Sequence, residues 1–147
     1  MKIYIGTDHH GYKDKELIVN YLKDMGQGVI DEGDEQLDPG DDFPNYALKV
    51  AKDVLASPAD SKGILLCGSG QGMCMAANRF KGIRASLCWD ENEAYSSRHD
   101  DDANVLCLSA DKIAWPDMER MISTWISTPF SNEERYVRRI NELDNLS

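Results

Sequence analysis

No apolar run in the 147 residues approaches the roughly 20 that a membrane-spanning helix requires, so no transmembrane segment is expected. Basic charge is also scarce. Sixteen Lys and Arg face 26 Asp and Glu, a net charge of −10, and without a basic footprint general nucleic-acid binding is excluded. The acidic residues crowd into 31–35 and 38–42, where they read as a solubilising surface. Cysteine occurs at only four positions, 67, 74, 88 and 107, and no pair has the Cys-x-x-Cys spacing of a metal or redox site. Internal repeats, low-complexity tracts and linkers are missing, which predicts a single domain over 1–147. The start of the chain, Met1-Lys2-Ile3-Tyr4-Ile5-Gly6, lacks the layout of a signal peptide and reads directly as a first strand, so a cytoplasmic location is expected.

What is present is an alternation of short apolar runs and amphipathic stretches. Strands are predicted at Lys2 to Thr7, from Val29-Ile30, at Gly63 to Leu66, at Ile83 to Cys88 and at Val105 to Leu108. Helices are predicted over Tyr12 to Met25, Asn45 to Leu55, Met73 to Phe80, Glu91 to Arg98, a stretch opening at Ala114-Trp115-Pro116, and Asn132 to Leu143. In the first helix Leu17, Val19, Tyr21 and Leu22 are the apolar positions, and Gly26 and Gly28 close it. Five strands alternating with helices predict an α/β fold: a Rossmann-like three-layer α/β/α sandwich around a five-stranded parallel sheet.

The stretch with the most chemistry is Cys67-Gly68-Ser69-Gly70-Gln71-Gly72-Met73. An apolar strand that stops at a thiol and turns through glycines into a helix sets that thiol beside unpaired amides, which suit an anion or a developing oxyanion. The bland alternative is a buried cysteine followed by an ordinary turn. Cys88 and Cys107 read as small buried hydrophobes. Asp8, His9 and His10 follow the first strand, where open α/β sheets place ligand contacts, although the histidines also suit an exposed turn. The segment His99-Asp100-Asp101-Asp102 precedes the fifth strand. The carboxyl ends of strands one, three and five are therefore expected to share one edge.

Several chemistries lack a needed part. Gly68-x-Gly70-x-Gly72 is not the Gly-x-Gly-x-x-Gly of dinucleotide binding. A cysteine phosphatase needs an arginine where Met73 stands, and a Walker loop needs a Gly-Lys-Ser/Thr ending. A cysteine hydrolase needs His9 or His99 brought to Cys67 by the fold. Proton abstraction beside a carbonyl needs a base, donors for an enediolate and a binder for the far end of the substrate. Cys67 with Ser69 and the loop amides fits the first two needs. Arg135 and Arg139, four apart on the last helix, fit the third, unless they form a solvated face with Glu133 and Glu134.

Gly6-Thr7-Asp8-His9, Asp42-Phe43-Pro44-Asn45-Tyr46-Ala47, Gly63 to Gly72, Ala76 to Ala85, Asn104-Val105-Leu106 and the Arg135/Arg139 pair together resemble the ribose-5-phosphate isomerase B and galactose-6-phosphate isomerase family, over essentially the whole chain. The resemblance implies an aldose–ketose isomerase of sugar phosphates that acts through an enediolate, without metal or cofactor. It implies a homodimer, in some cases paired into tetramers, with sites at the dimer interface. It makes Cys67 the base, Ser69 the assisting hydroxyl, and Gly68, Gly70, Gln71 and Gly72 the amide cradle. Asp8 and His9 become sugar or phosphate contacts, and Arg135 and Arg139 phosphate ligands. The family's ring-opening histidine falls on Asp100 and its following asparagine on Asp101, while His99 sits one residue early, a shift of about 100° on a helix. Asp100 or His99 is the expected acid–base. A further phosphate-binding arginine falls on Asp111, and the tyrosine usual before Pro44 is Phe43. An added carboxylate repels a dianionic phosphate by on the order of 1 kcal/mol. The substrate thus stands open between ribose 5-phosphate, another sugar phosphate and an uncharged sugar. The alternative function is an inactive sugar-binding or partner subunit.

Overall fold

Strand β3 (Ser61–Cys67) is apolar on both faces because both faces are covered by helices. Its alternation assigns the two halves of the core. Ile64 and Leu66 pack with Ile5, Leu106, Leu108 and the buried Trp125, whereas Leu65 and Cys67 pack with Val50, Val54, Met73 and Cys107. The computed structural model describes residues 1–146. Around β3 are β1 (Lys2–Thr7), β2 (Gly28–Asp31), β4 (Ala85–Leu87) and β5 (Val105–Ser109). The connecting helices are α1 (Tyr12–Asp24), α2 (Phe43–Ala56), α3 (Gln71–Ala77), α4 (Glu91–His99), α5 (Trp115–Ser127) and α6 (Glu134–Asp144). The five strands pair in parallel in the order β2-β1-β3-β5-β4, the α/β sandwich that the alternation predicts. Among the described residues no helix is long and apolar enough to cross a membrane.

That order brings the ends of β1, β3 and β5 side by side, as expected, and reverses the direction of winding between β1 and β3. The crevice outside those two carboxyl ends is where open sheets bind ligands. Cys67 is in register with Ser109 at the upper edge of the sheet.

The boundaries shift for identifiable reasons. In α1 the buried positions are Lys15, Ile18 and Leu22, while Leu17 is exposed; Lys15 reaches Asp31 at 3.1 Å and the carbonyl of Asp34, so its charge is partnered. Gly26, with φ +80, closes α1 as expected, and Gln27 N–H returns to the Leu22 carbonyl. Helix α2 starts two residues earlier than predicted because Pro44 fits a first helical turn. Helix α3 stops at Ala77 and not Phe80. The Asn78 side chain there donates to the Ala85 carbonyl (2.9 Å) and accepts from the Ala85 N–H (2.8 Å), tying the helix end to the edge strand β4. Helix α6 starts at Glu134 and not Asn132, whose φ of +57 no helix continues.

Candidate active site

The turn after β3 is shaped by glycine. Gly70 has φ +78, and a Cβ there would lie 2.6 Å from Leu87 Cδ1 and 2.9 Å from the Leu108 carbonyl, so only glycine fits. The turn is pinned to β5: Ala110 N–H donates to the Cys67 carbonyl (3.0 Å), and Ser109 Oγ and Asp111 N–H both donate to the Gly68 carbonyl (2.7 and 3.1 Å). Ser69 Oγ accepts the Gln71 N–H at 3.3 Å, while the N–H groups of Gly68, Ser69 and Gly70 find no acceptor among the described residues. Cys67 is only 5% exposed and packs with Met73 and Cys107 at the end of β3. The Phe43 ring lies over the far side of the turn, with three of its carbons within 3.0 Å of where a Cβ on Gly72 would be.

Facing this turn from β1 are Asp8, His9 and His10. Asp8 is buried, and its carboxylate accepts the His10 N–H at 3.0 Å. His9 Nδ1 meets Asp41 Oδ1 at 2.6 Å, and the other oxygen of Asp41 accepts from the Tyr46 hydroxyl at 3.2 Å. The hydrogen bond to Asp41 raises the His9 pKa above 6.5 against the opposing effect of desolvation. Burial pulls Asp41 upward, but the bonds from His9 and Tyr46 outweigh it and hold the carboxyl below its ordinary range. Tyr46 is pushed up by burial and by the neighbouring Asp34 and Asp41 carboxyls. Asp8, His9 and Asp41 also offer three ligand atoms within 4.8 Å of one another, the group best placed to hold a cation, although the short His9–Asp41 bond already engages two of those atoms.

His10 Nδ1 lies 3.3 Å from Asp111 Oδ1, and both flank Gly68: a Cβ on that glycine would sit 2.8 Å from Asp111 Oδ2 and 3.3 Å from His10 Nδ1. Sequence reasoning did not place Asp41 in the site, and it left His10 open between a ligand contact at the strand end and an exposed turn. The acidic loop was read for solubility alone, and no local pattern ties it to a residue 32 positions earlier. The usable signal was the position of His10, two residues after the buried Asp8 at a strand end.

The remaining expected residues form a separate cluster. His99 Nδ1 meets Asp100 Oδ1 at 2.7 Å, and the His99 ring stacks on Tyr95 (5.0 Å) and meets the Tyr136 ring edge-on (6.4 Å). Arg135 and Arg139 both lie over the Tyr136 ring, at 4.6 and 5.9 Å, so the pair does share one face; Arg135 also bonds Glu133 at 3.0 Å. Asp101 is held above its usual carboxyl value by burial and by the charge of Asp100, against the pull of Arg139. It lines a cavity of about 890 Å³ with Arg84, Leu143 and Asp144, away from the Cys67 turn. Among the described residues no hydrogen bond or ion pair joins this cluster to the crevice of the same chain.

Comparison with known proteins places this geometry. The family model described as Ribose/Galactose Isomerase matches residues 3–143. The chain is 40% identical over 141 residues to the probable ribose-5-phosphate isomerase B of Mycoplasma pneumoniae, covering 96% of this chain and 91% of that protein. It is 34% identical over 143 residues to ribose-5-phosphate isomerase B of Mycobacterium tuberculosis, covering 97% and 88%. The ribose 5-phosphate isomerase structure from Thermotoga maritima superposes with a TM-score of 0.93 at 41% identity, covering 99% of this chain and 98% of that one. Ribose-5-phosphate isomerase B from Mycoplasma genitalium with bound ribulose-5-phosphate superposes with a TM-score of 0.94 at 36% identity, covering 97% and 93%. With a match across nearly its full length in both sequence and fold, the chain belongs to the Ribose/Galactose Isomerase family.

Proposed function

We propose that this chain interconverts ribose 5-phosphate and ribulose 5-phosphate through an enediolate, with Cys67 as the base. The observation that carries this reading is the adjacency of the Cys67 turn to the Asp8 end of β1, where the Asp8 N–H donates to the Leu66 carbonyl at 3.3 Å, in a chain whose relatives are named for that reaction. The Cys67 thiolate removes the proton from C2 of the open aldehyde, and negative charge develops on O1. The free N–H groups of Gly68, Ser69 and Gly70, with the Ser69 hydroxyl, are placed to receive that charge. Transfer of the O2 hydroxyl proton to O1, with return of the carbon-bound proton to C1 as C2=O forms, gives the ketose. One carbon is oxidised as its neighbour is reduced, so the reaction consumes no external electron acceptor. His9, whose charged form Asp41 favours, offers a donor to the substrate's oxygens or its phosphate.

The second cluster completes the site from another copy. Arg135 and Arg139 supply the phosphate clamp across a homodimer, which the exposed α6 supports, because that helix buries none of its residues within its own chain. The reading carries a cytoplasmic location with it. The test is conversion by the purified chain alone across a panel of pentoses, hexoses and their phosphates. Turnover of ribose 5-phosphate above the other sugars supports the proposal. Binding without turnover of any sugar supports the inactive-subunit alternative instead.

A further inference from the structure

The enolisation base accounts for only half of the chemistry, because ribose 5-phosphate rests as a closed ring and Cys67 acts only on the open aldehyde. We propose that His10, oriented by Asp111, is the acid–base group that opens the ring; this rests on the isomerase reading above. The two residues come from opposite sides of β3, 101 positions apart in sequence, and close over Gly68 next to Cys67. Each is fixed through its backbone: Asp8 accepts the His10 N–H at 3.0 Å, and the Asp111 N–H is held by the Gly68 carbonyl at 3.1 Å. Asp111 takes Nδ1 of the imidazole, and Nε2 has no partner among the described residues, leaving it available to substrate. Both side chains are open to solvent, 44% and 54% exposed, so a sugar can reach them.

The other histidines are less suited. His9 Nδ1 is committed to Asp41 at 2.6 Å, and that bond favours the charged form of its ring, which donates but does not accept. His99 Nδ1 is bonded to Asp100, and its ring is stacked on Tyr95 and meets the edge of Tyr136. The step balances on one imidazole. Nε2 takes the proton of the anomeric hydroxyl, C1=O forms as the bond between C1 and the ring oxygen breaks, and the imidazolium returns a proton to that oxygen. Asp111 stabilises the transient imidazolium and fixes its tautomer; it is a positioning residue. The groups that face His10 are Asp111, the Asp8 carboxylate and the His9 ring, whose centroid lies 4.3 Å away.

Ribulose 5-phosphate separates the two half-reactions, because it cannot close into a furanose with O5 phosphorylated. Its C1 hydrogen exchanges with solvent through Cys67 alone. The experiment measures turnover of ribose 5-phosphate and, separately, deuterium uptake at C1 of ribulose 5-phosphate in heavy water. His10→Gln is expected to lower aldose turnover about 10²-fold while exchange stays within about threefold, and Asp111→Asn to give the same split at about tenfold. Retained exchange also certifies that each variant is folded. A parallel fall in both readouts, or no fall in either, overturns the assignment. So does the split appearing in His99→Gln or Asp100→Asn and not in His10→Gln. If the unaltered protein neither turns over the aldose nor exchanges the ketose, the isomerase reading itself fails, and this assignment with it.

Discussion

Alanine at Gly70 separates two costs that glycine avoids after β3, and a second glycine in the same chain provides the control. Gly70 and Gly26 have nearly the same left-handed backbone, with φ of +78 and +80. A Cβ at Gly26 meets nothing within 4 Å, whereas at Gly70 it would lie 2.6 Å from Leu87 Cδ1 and 2.9 Å from both the carbonyl carbon and oxygen of Leu108. The leucine methyl can move. The Leu108 carbonyl cannot, because it belongs to the ladder that joins β5 to β3. Gly26→Ala therefore carries only the left-handed penalty of about 1–2 kcal/mol. Gly70→Ala adds an overpacking cost of about 1–3 kcal/mol, for a total of about 2–5 kcal/mol. Against a whole-domain stability of about 5–15 kcal/mol, the larger figure approaches unfolding. Urea denaturation of the three proteins at one protein concentration measures the difference, with unchanged slopes confirming that the native and unfolded states are comparable. Ribose 5-phosphate turnover is expected to survive Gly26→Ala and to be lost in Gly70→Ala, because the turn that carries Ser69 must shift. Equal destabilisation of the two variants, or full activity in Gly70→Ala, refutes the steric account of this turn.

Three further outcomes follow from the same geometry. Cys67→Ser is expected to lower both aldose turnover and deuterium uptake into ribulose 5-phosphate by at least about 10²-fold, and full retention of either removes Cys67 as the base. The His9–Asp41 pair stabilises the fold in a defined pH window. The raised His9 value makes its contribution complete below 6.5 and lost as pH rises through the folded value; the lowered Asp41 value makes its contribution complete above 3.8 and lost as pH falls through the folded value. The difference in melting temperature between the unaltered protein and Asp41→Asn is thus greatest between 3.8 and 6.5 and shrinks toward alkaline pH; a difference that ignores pH contradicts the pairing. Glutamate at Val137 and Leu143, both exposed on α6, is expected to convert a dimer to monomers by light scattering and to raise the KM for ribose 5-phosphate. A dimer that persists in the double variant rules out α6 as its seam.

Most of the frame was legible because it is written in local periodicity. The run Ile64-Leu65-Leu66-Cys67 reads as a doubly covered strand from composition alone, and its alternation into two core halves follows from strand geometry. Glycine at 26 marked the end of α1 through its own backbone freedom. The failures came where a side chain overrides periodicity. Asn78 ends α3 early by taking both backbone groups of Ala85, and Lys15 is buried because Asp31 and the Asp34 carbonyl receive its charge. Both effects depend on residues distant in sequence. The same holds for Asp41, whose carboxylate reads as surface charge until the sheet order sets it against His9. Asp111 was legible as a carboxylate in the expected phosphate site, but its pairing with His10 was not.

The division of the site into two clusters has a physical origin in α6. A helix of 11 residues is marginal in water by itself, and α6 buries no residue against the sheet. Within the chain it is held at its far end, where Arg84 bonds Asp144 at 2.9 Å, and through the Tyr136 contact to His99. Its arginines are therefore displayed on a surface that its own chain leaves uncovered, far from the turn they would serve. The crevice around Cys67, in contrast, is fixed by backbone bonds across β1, β3 and β5 and needs no second chain for its shape. Under the proposed reading, proton transfer at C1 and C2 and ring opening by His10 belong to one chain, and recognition of the phosphate to the assembly. Removing the partner should then weaken substrate binding far more than it slows exchange at saturating ribulose 5-phosphate. A monomeric variant whose exchange rate at saturation collapses would place part of the proton-transfer machinery on the second chain.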